Sequence, residues 1–212
     1  MRPLSREQLA TVLDLAPLRH RAMLEVLAGT GLRISEGIAL QRQHLHLDGG
    51  RPKVRVRRAI VKRRLEPPKT RHGRRDVALS PVLVDRLRAR LPDLPDIPEA
   101  LVFPTRSGTP LDPDNLRKRV LKPIMEEAGA PWAAFHTLRH TYASLQLAAG
   151  VNIVQLSRAL GHHSASFTLD TYVHLLEGEE APALDFTDAL DGSTSKATSP
   201  TELNLSEHDT NA

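Results

Sequence analysis

From Asp112 onward the chain leaves no room for a sheet. Asp112-Pro113 opens a helical segment that runs to about Ala128 and stops at Gly129. A second helix is expected from near His136 to Gly150, burying Leu138, Tyr142 and Leu145. A third, Ile153 to Leu160, is closed by Gly161, and a fourth, Thr168 to Leu176, carries Tyr172. Strands are therefore confined to the first half.

There, Ser5 with Gln8 three residues on forms a capping box ahead of Leu9, Val12 and Leu13. A second helix carries Ala22, Met23, Val26 and Leu27 and stops at Gly29 and Gly31, and Ser35 to Leu40 is another. Lys53 to Val61 alternates Val54 and Val56 with basic residues, the pattern of a strand with one wet, positive face. Pro67-Pro68 and Gly73 bracket a turn that holds Lys69, and Arg74 to Leu79 is the returning strand. Ser80-Pro81 starts a helix whose apolar face is Leu83 to Leu91, and four prolines from Pro92 to Pro104 mark a loop. The fold class expected is α+β, mainly helical with a small antiparallel sheet.

Charge divides the chain more sharply than its net +4 suggests. Arg51 to Arg75 holds twelve Lys or Arg against Glu66, whereas Glu177 to Ala212 holds nine acids against Lys196. A basic body of residues 1 to 176 with an acidic tail points to a polyanionic partner. From about Asp191 the tail is Ser, Thr, Asn and acids, a composition expected to be disordered. With no cysteine there are no disulfides and no thiolate metal sites, which fits a reducing cytoplasm. No apolar run approaches a membrane span.

The chemistry concentrates between His136 and Tyr172. HTLRH supplies His136, Arg139 and His140, LGHH supplies His162 and His163, and TLDTY ends on Tyr172. Arg33 stands far upstream in TGLRISE, three residues before a carboxylate, Glu36, that can orient it. His136 and His140 have the spacing of a zinc pair, but no Glu stands at the metalloprotease position. His140 is expected to pack or to bond backbone. Two arginine forks suit the non-bridging oxygens of a phosphodiester, and a tyrosine hydroxyl can attack phosphorus.

In order and spacing, TGLRISE, HTLRHTYAS and LGHHSASFTLDTY resemble the boxes of the tyrosine recombinases, the phage-integrase family, over most of residues 1 to 176. The resemblance implies a site-specific DNA recombinase or integrase domain that cleaves one strand, holds a 3′-phosphotyrosine and rejoins it to a new partner. It implies Arg33, Lys69, His136, Arg139, His162 and Tyr172 as the site, with Lys69, favoured over Lys62 by the KTRHGRRDVAL pattern, protonating the leaving 5′-oxygen. Either His136 or His162 remains open as the base. No cofactor is expected: the phosphotyrosine conserves the diester energy, and neither an ATP-cradling loop nor an acid cluster for Mg²⁺ occurs. Double-stranded DNA is the implied partner, with a homo-tetrameric synapse and possible accessory DNA-bending proteins. The helical core-binding domain that usually precedes this domain is expected to be absent, the tail from 177 lying beyond the catalytic unit.

Overall fold

The computed structural model describes residues 2–68 and 70–173. Helix α1 (Arg6–Leu15) begins as its sequence dictates: Ser5 Oγ accepts from the Gln8 amide and the Gln8 side chain returns the bond to Ser5 N–H. Helix α2 (Leu18–Thr30) lies at the centre, with Met23, Leu24, Val26, Leu27 and Ala28 all buried. It packs against α1 and against three later helices, α3 (Ile34–Gly37), α4 (Pro81–Arg90) and α7 (Phe135–Ala148). Ser80 caps α4 ahead of Pro81.

The strands form two small antiparallel sheets rather than one hairpin. In the first, β1 (Leu45–His46), β2 (Lys53–Val56) and β5 (Arg75–Ala78) lie in the order β1-β2-β5, with Val54 opposite Val77 and Val56 opposite Arg75. The buried face is Val54, Val56 and Val77. On the wet face Asp76 accepts ion pairs from Lys53 at 2.9 Å and Arg57 at 2.7 Å. The strand expected over 53–61 breaks after Val56 because the Arg57 guanidinium binds the Val56 and Arg75 carbonyls, ending the ladder. The chain then makes a separate hairpin, β3 (Ala59–Val61) with β4 (Arg64–Glu66), turning through Lys62 and Arg63, both at positive φ. Alternation alone did not reveal this second hairpin.

From Asp112 the chain is helical as expected, with one irregularity. Helix α5 (Pro113–Leu116) runs into a π turn at Arg117–Leu121 before α6 (Lys122–Glu127). Pro123 has no N–H to offer the carbonyl four residues back, and the wider turn, in which Lys122 N–H reaches Arg117, absorbs the mismatch. Helices α8 (Ile153–Leu160) and α9 (Ala165–Tyr172) complete the described chain, α9 starting earlier than expected because Ser164 caps it through the Phe167 amide. A main apolar cluster centres on α2. A second one, of Ala143, Leu147, Leu156, Leu160 and Tyr172, joins α7, α8 and α9. The acidic tail and Lys69 lie outside the described residues.

Candidate active site

Two glycine-terminated helices converge on one arginine. Both α2 and α8 end in a left-handed glycine, Gly31 at φ 64° and Gly161 at φ 67°. Arg139, on α7 and almost fully buried, donates to the Gly31 carbonyl at 2.7 Å and to the Leu160 carbonyl at 2.6 Å. A cation at two helix C-termini satisfies carbonyls that have no partner within their helices and complements both dipoles. A Cβ at Gly161 would come within 2.8 Å of the His72 carbonyl and 2.9 Å of Arg75 Nη1; one at Gly31 would strike the Tyr142 ring. Both motif glycines are thus needed for backbone conformation and for close approach. Burial first, then the charges of Arg33 and Arg75, lower the Arg139 pKa to about 9, which leaves it cationic at neutral pH.

Arg33 is held by a chain of ion pairs. Glu36 Oε1 accepts from Arg33 Nη1 at 3.1 Å, and Oε2 accepts from the Arg33 amide at 2.9 Å. The same carboxylate takes both arms of the buried Arg75 guanidinium, at 3.0 and 2.9 Å. Arg75 Nε donates in turn to the Ala159 carbonyl at 2.6 Å, tying the sheet to α8. Burial works to raise the Glu36 pKa, but the bonds and charge of Arg75, then of Arg33, outweigh it and hold the carboxyl below its usual range. Sequence reasoning missed Arg75. The signal was present, since Arg75 shares the apolar face of its strand with Val77.

The histidines divide their positions. His162 Nδ1 lies 2.6 Å from the hydroxyl of Thr168, which is fully buried, and this fixes the ring; His163 is exposed and rests on Phe167. His140 does not merely pack: its Nδ1 lies 2.9 Å from the Tyr172 hydroxyl. His136 is exposed and stacks edge-on against His140, with ring centroids 5.5 Å apart. Burial, then His136 and Arg139, lower His140 to about 4. Burial, then Arg139, Arg33 and Arg75, lower His162 to about 3. Burial raises the Tyr172 phenol above its ordinary value, opposed by Arg139. At neutral pH His140 and His162 are therefore neutral, the Tyr172 phenol is protonated and Arg139 is cationic. An imidazole protonated at Nε2 accepts the phenol proton at Nδ1.

Arg33, Arg75, Arg139, His136, His140, His162 and Tyr172 thus share one electrostatic neighbourhood. A cavity of about 280 Å³ opens beside it, lined by Arg33, Glu36, Pro68, Thr70 and Gly161 among others. Lys69 itself lies outside the described residues. No cluster of three His, Cys, Asp or Glu among the described residues could hold a metal ion. No described helix is long and apolar enough to cross a membrane.

The fold is shared with solved integrase structures. The Tn1549 transposon integrase in complex with transposon right end DNA superposes with a TM-score of 0.69 at 20% identity, over 90% of this chain and 64% of that one. The catalytic domain of bacteriophage HP1 integrase gives 0.57 at 20% identity, over 82% of this chain and 88% of that one. In sequence, the chain is 34% identical to tyrosine recombinase XerC of Chlorobaculum parvum, covering 78% of this chain and 48% of the relative. It is 29% identical to a tyrosine recombinase XerC-like protein of Caldanaerobacter subterraneus subsp. tengcongensis, covering 79% and 48%. The profile of the phage integrase family matches residues 2–179. The chain belongs to the phage integrase family. It spans about half the length of the curated relatives it matches.

Proposed function

We propose that residues 1–176 are the catalytic unit of a site-specific DNA recombinase that breaks and rejoins strands of double-stranded DNA through a 3′-phosphotyrosine. The Tyr172–His140 contact beside buried Arg139 carries this reading. The Tyr172 oxygen attacks phosphorus as its proton passes to His140 Nδ1. The bond from phosphorus to the 5′-oxygen breaks, and Lys69 gives that oxygen a proton. Arg33 and Arg139 bind the non-bridging oxygens, where charge accumulates, assisted by His136 and His162. Reversal with the 5′-hydroxyl of another strand rejoins the DNA, so no external energy source is required. Lys69 as the acid is supported by its neighbours, since Pro68 and Thr70 both line the Arg33 cavity. A homo-tetrameric synapse on DNA and accessory DNA-bending partners complete the proposal, in a soluble cytoplasmic protein.

The test is trapping on a pool of randomised duplexes nicked just 3′ of each candidate phosphate, from which the short leaving strand diffuses away. Denaturing gels should show protein joined to DNA 3′ ends, and peptide mapping should place the linkage on Tyr172. DNA binding without any covalent product, or a product on another residue, overturns the reading.

A further inference from the structure

On the other side of Gly161 from the Arg33 cavity lies a second one, of about 300 Å³, lined by Arg71, His72, Arg74, Arg75, Arg158 and His162. Its wall contains no acid. Among the described residues, Arg71, Arg74 and Arg158 have no carboxylate partner, in contrast to Arg33, Arg42, Arg57, Arg75 and Arg88. All three are exposed, and two separate pieces of chain contribute them: the turn before β5 supplies Arg71 and Arg74, and the last turn of α8 supplies Arg158. Gly161 is the partition between the two cavities, and its missing Cβ lets the turn at His72 close onto α8. Uncompensated like charges that converge on a concavity repel one another unless an anion occupies it.

We propose that this second cavity is a backbone-phosphate subsite, in which Arg71, Arg74 and Arg158 grip the phosphodiester neighbouring the one presented to Arg33 and Arg139. The inference rests on the DNA reading above and adds a role for residues outside the chemistry. Two phosphates held on either side of Gly161 fix the strand in register, so that one particular phosphorus stands before Tyr172. Phosphate contacts carry no sequence information but set position. These arginines are therefore positioning residues.

The experiment measures affinity for a random-sequence duplex across a salt series. The proteins compared are the full chain, Arg74→Gln/Arg158→Gln and Arg71→Gln/Arg74→Gln/Arg158→Gln. One lost phosphate lowers the slope of log affinity against log salt by about 0.9. If all three side chains share one phosphate, the triple variant should lose about 0.9 in slope and no more, with the thermal midpoint unchanged. An unchanged slope overturns the subsite, and so does a loss of two or three times that value, which would mean separate surface contacts. Should the triple variant fail to fold, the double variant is decisive by affinity: with two of the three arginines gone binding should weaken at every salt concentration, and an unchanged affinity overturns the proposal. Covalent trapping runs in parallel on the unsubstituted chain. A chain that traps DNA while its cavity variants keep the slope refutes the subsite alone, whereas a chain that neither binds nor traps DNA refutes the recombinase reading as well.

Discussion

The Tyr172 hydroxyl lies 2.9 Å from His140 Nδ1, with the tyrosine ring buried among Ala143, Leu147, Leu156 and Leu160 of the same chain. The hydroxyl is therefore already hydrogen-bonded to an imidazole within the chain itself. Tyr172→Phe keeps the packing and removes one hydrogen bond, so stability should fall by only about 1 kcal/mol. DNA affinity should persist and covalent product should vanish. His140→Gln keeps a polar group but no imidazole, and should slow adduct formation by about 10² to 10⁴ while affinity holds. A His140→Gln chain that traps DNA at the full rate would remove His140 from the reaction.

Acid should weaken the fold through the same histidines. An unfolded histidine titrates near 6.5, whereas His140 and His162 are lowered to about 4 and about 3 when folded. In the interval between, the unfolded chain binds more protons, so stability is complete above pH 6.5 and is lost as pH falls toward those values. Urea midpoints measured from pH 7.5 to 4.5 should fall below 6.5, and His140→Gln/His162→Gln should fall less steeply. An identical decline in both proteins would exclude these two residues as its source.

Glu36 and Arg75 form a buried pair whose halves are costly to separate. Removing one partner strands the other charge, and Arg75→Ala should cost about 3–5 kcal/mol in urea unfolding. Glu36→Gln keeps the shape but loses the charge that orients Arg33. It should slow cleavage more than it weakens DNA affinity. An equal loss in both would point to a general structural defect.

The glycines give a graded comparison. Gly129 and Gly161 have the same positive φ, but only Gly161 is crowded. Gly129→Ala should cost the left-handed penalty alone, about 1–2 kcal/mol. Gly161→Ala adds a collision with the His72 carbonyl and Arg75, and should lower the thermal midpoint further. Equal shifts would show that the turn at His72 yields without cost.

The leaving group can be isolated chemically. Lys69→Ala should be slow on ordinary DNA and recover on a substrate whose bridging 5′-oxygen is sulfur, since a thiolate leaves without an acid. Arg139→Ala should not recover, because its proposed contacts are to the non-bridging oxygens. Failure of both on the sulfur substrate would count against Lys69 as the acid.

Local rules account for the elements that the sequence by itself determined. Ser5 with Gln8, Ser80-Pro81, and the glycines at 31, 129 and 161 mark helix boundaries because caps and left-handed stops depend on residues a few positions apart. Arg33, His136, Arg139, His162 and Tyr172 were legible as candidates because each sits in a short motif that resembles a box of the family. Only the tertiary structure decided which groups meet. His140 is paired with Tyr172 across thirty-two residues, and Arg75 reaches Glu36 across thirty-nine, because α7, α8 and the β2–β5 ladder converge on the Arg139 junction. Local periodicity puts Arg75 on the buried face of its strand but does not name its partner, and it says nothing of the His140–Tyr172 pair. Both follow from the burial of two apolar clusters, which brings distant side chains to one place whatever their separation along the chain.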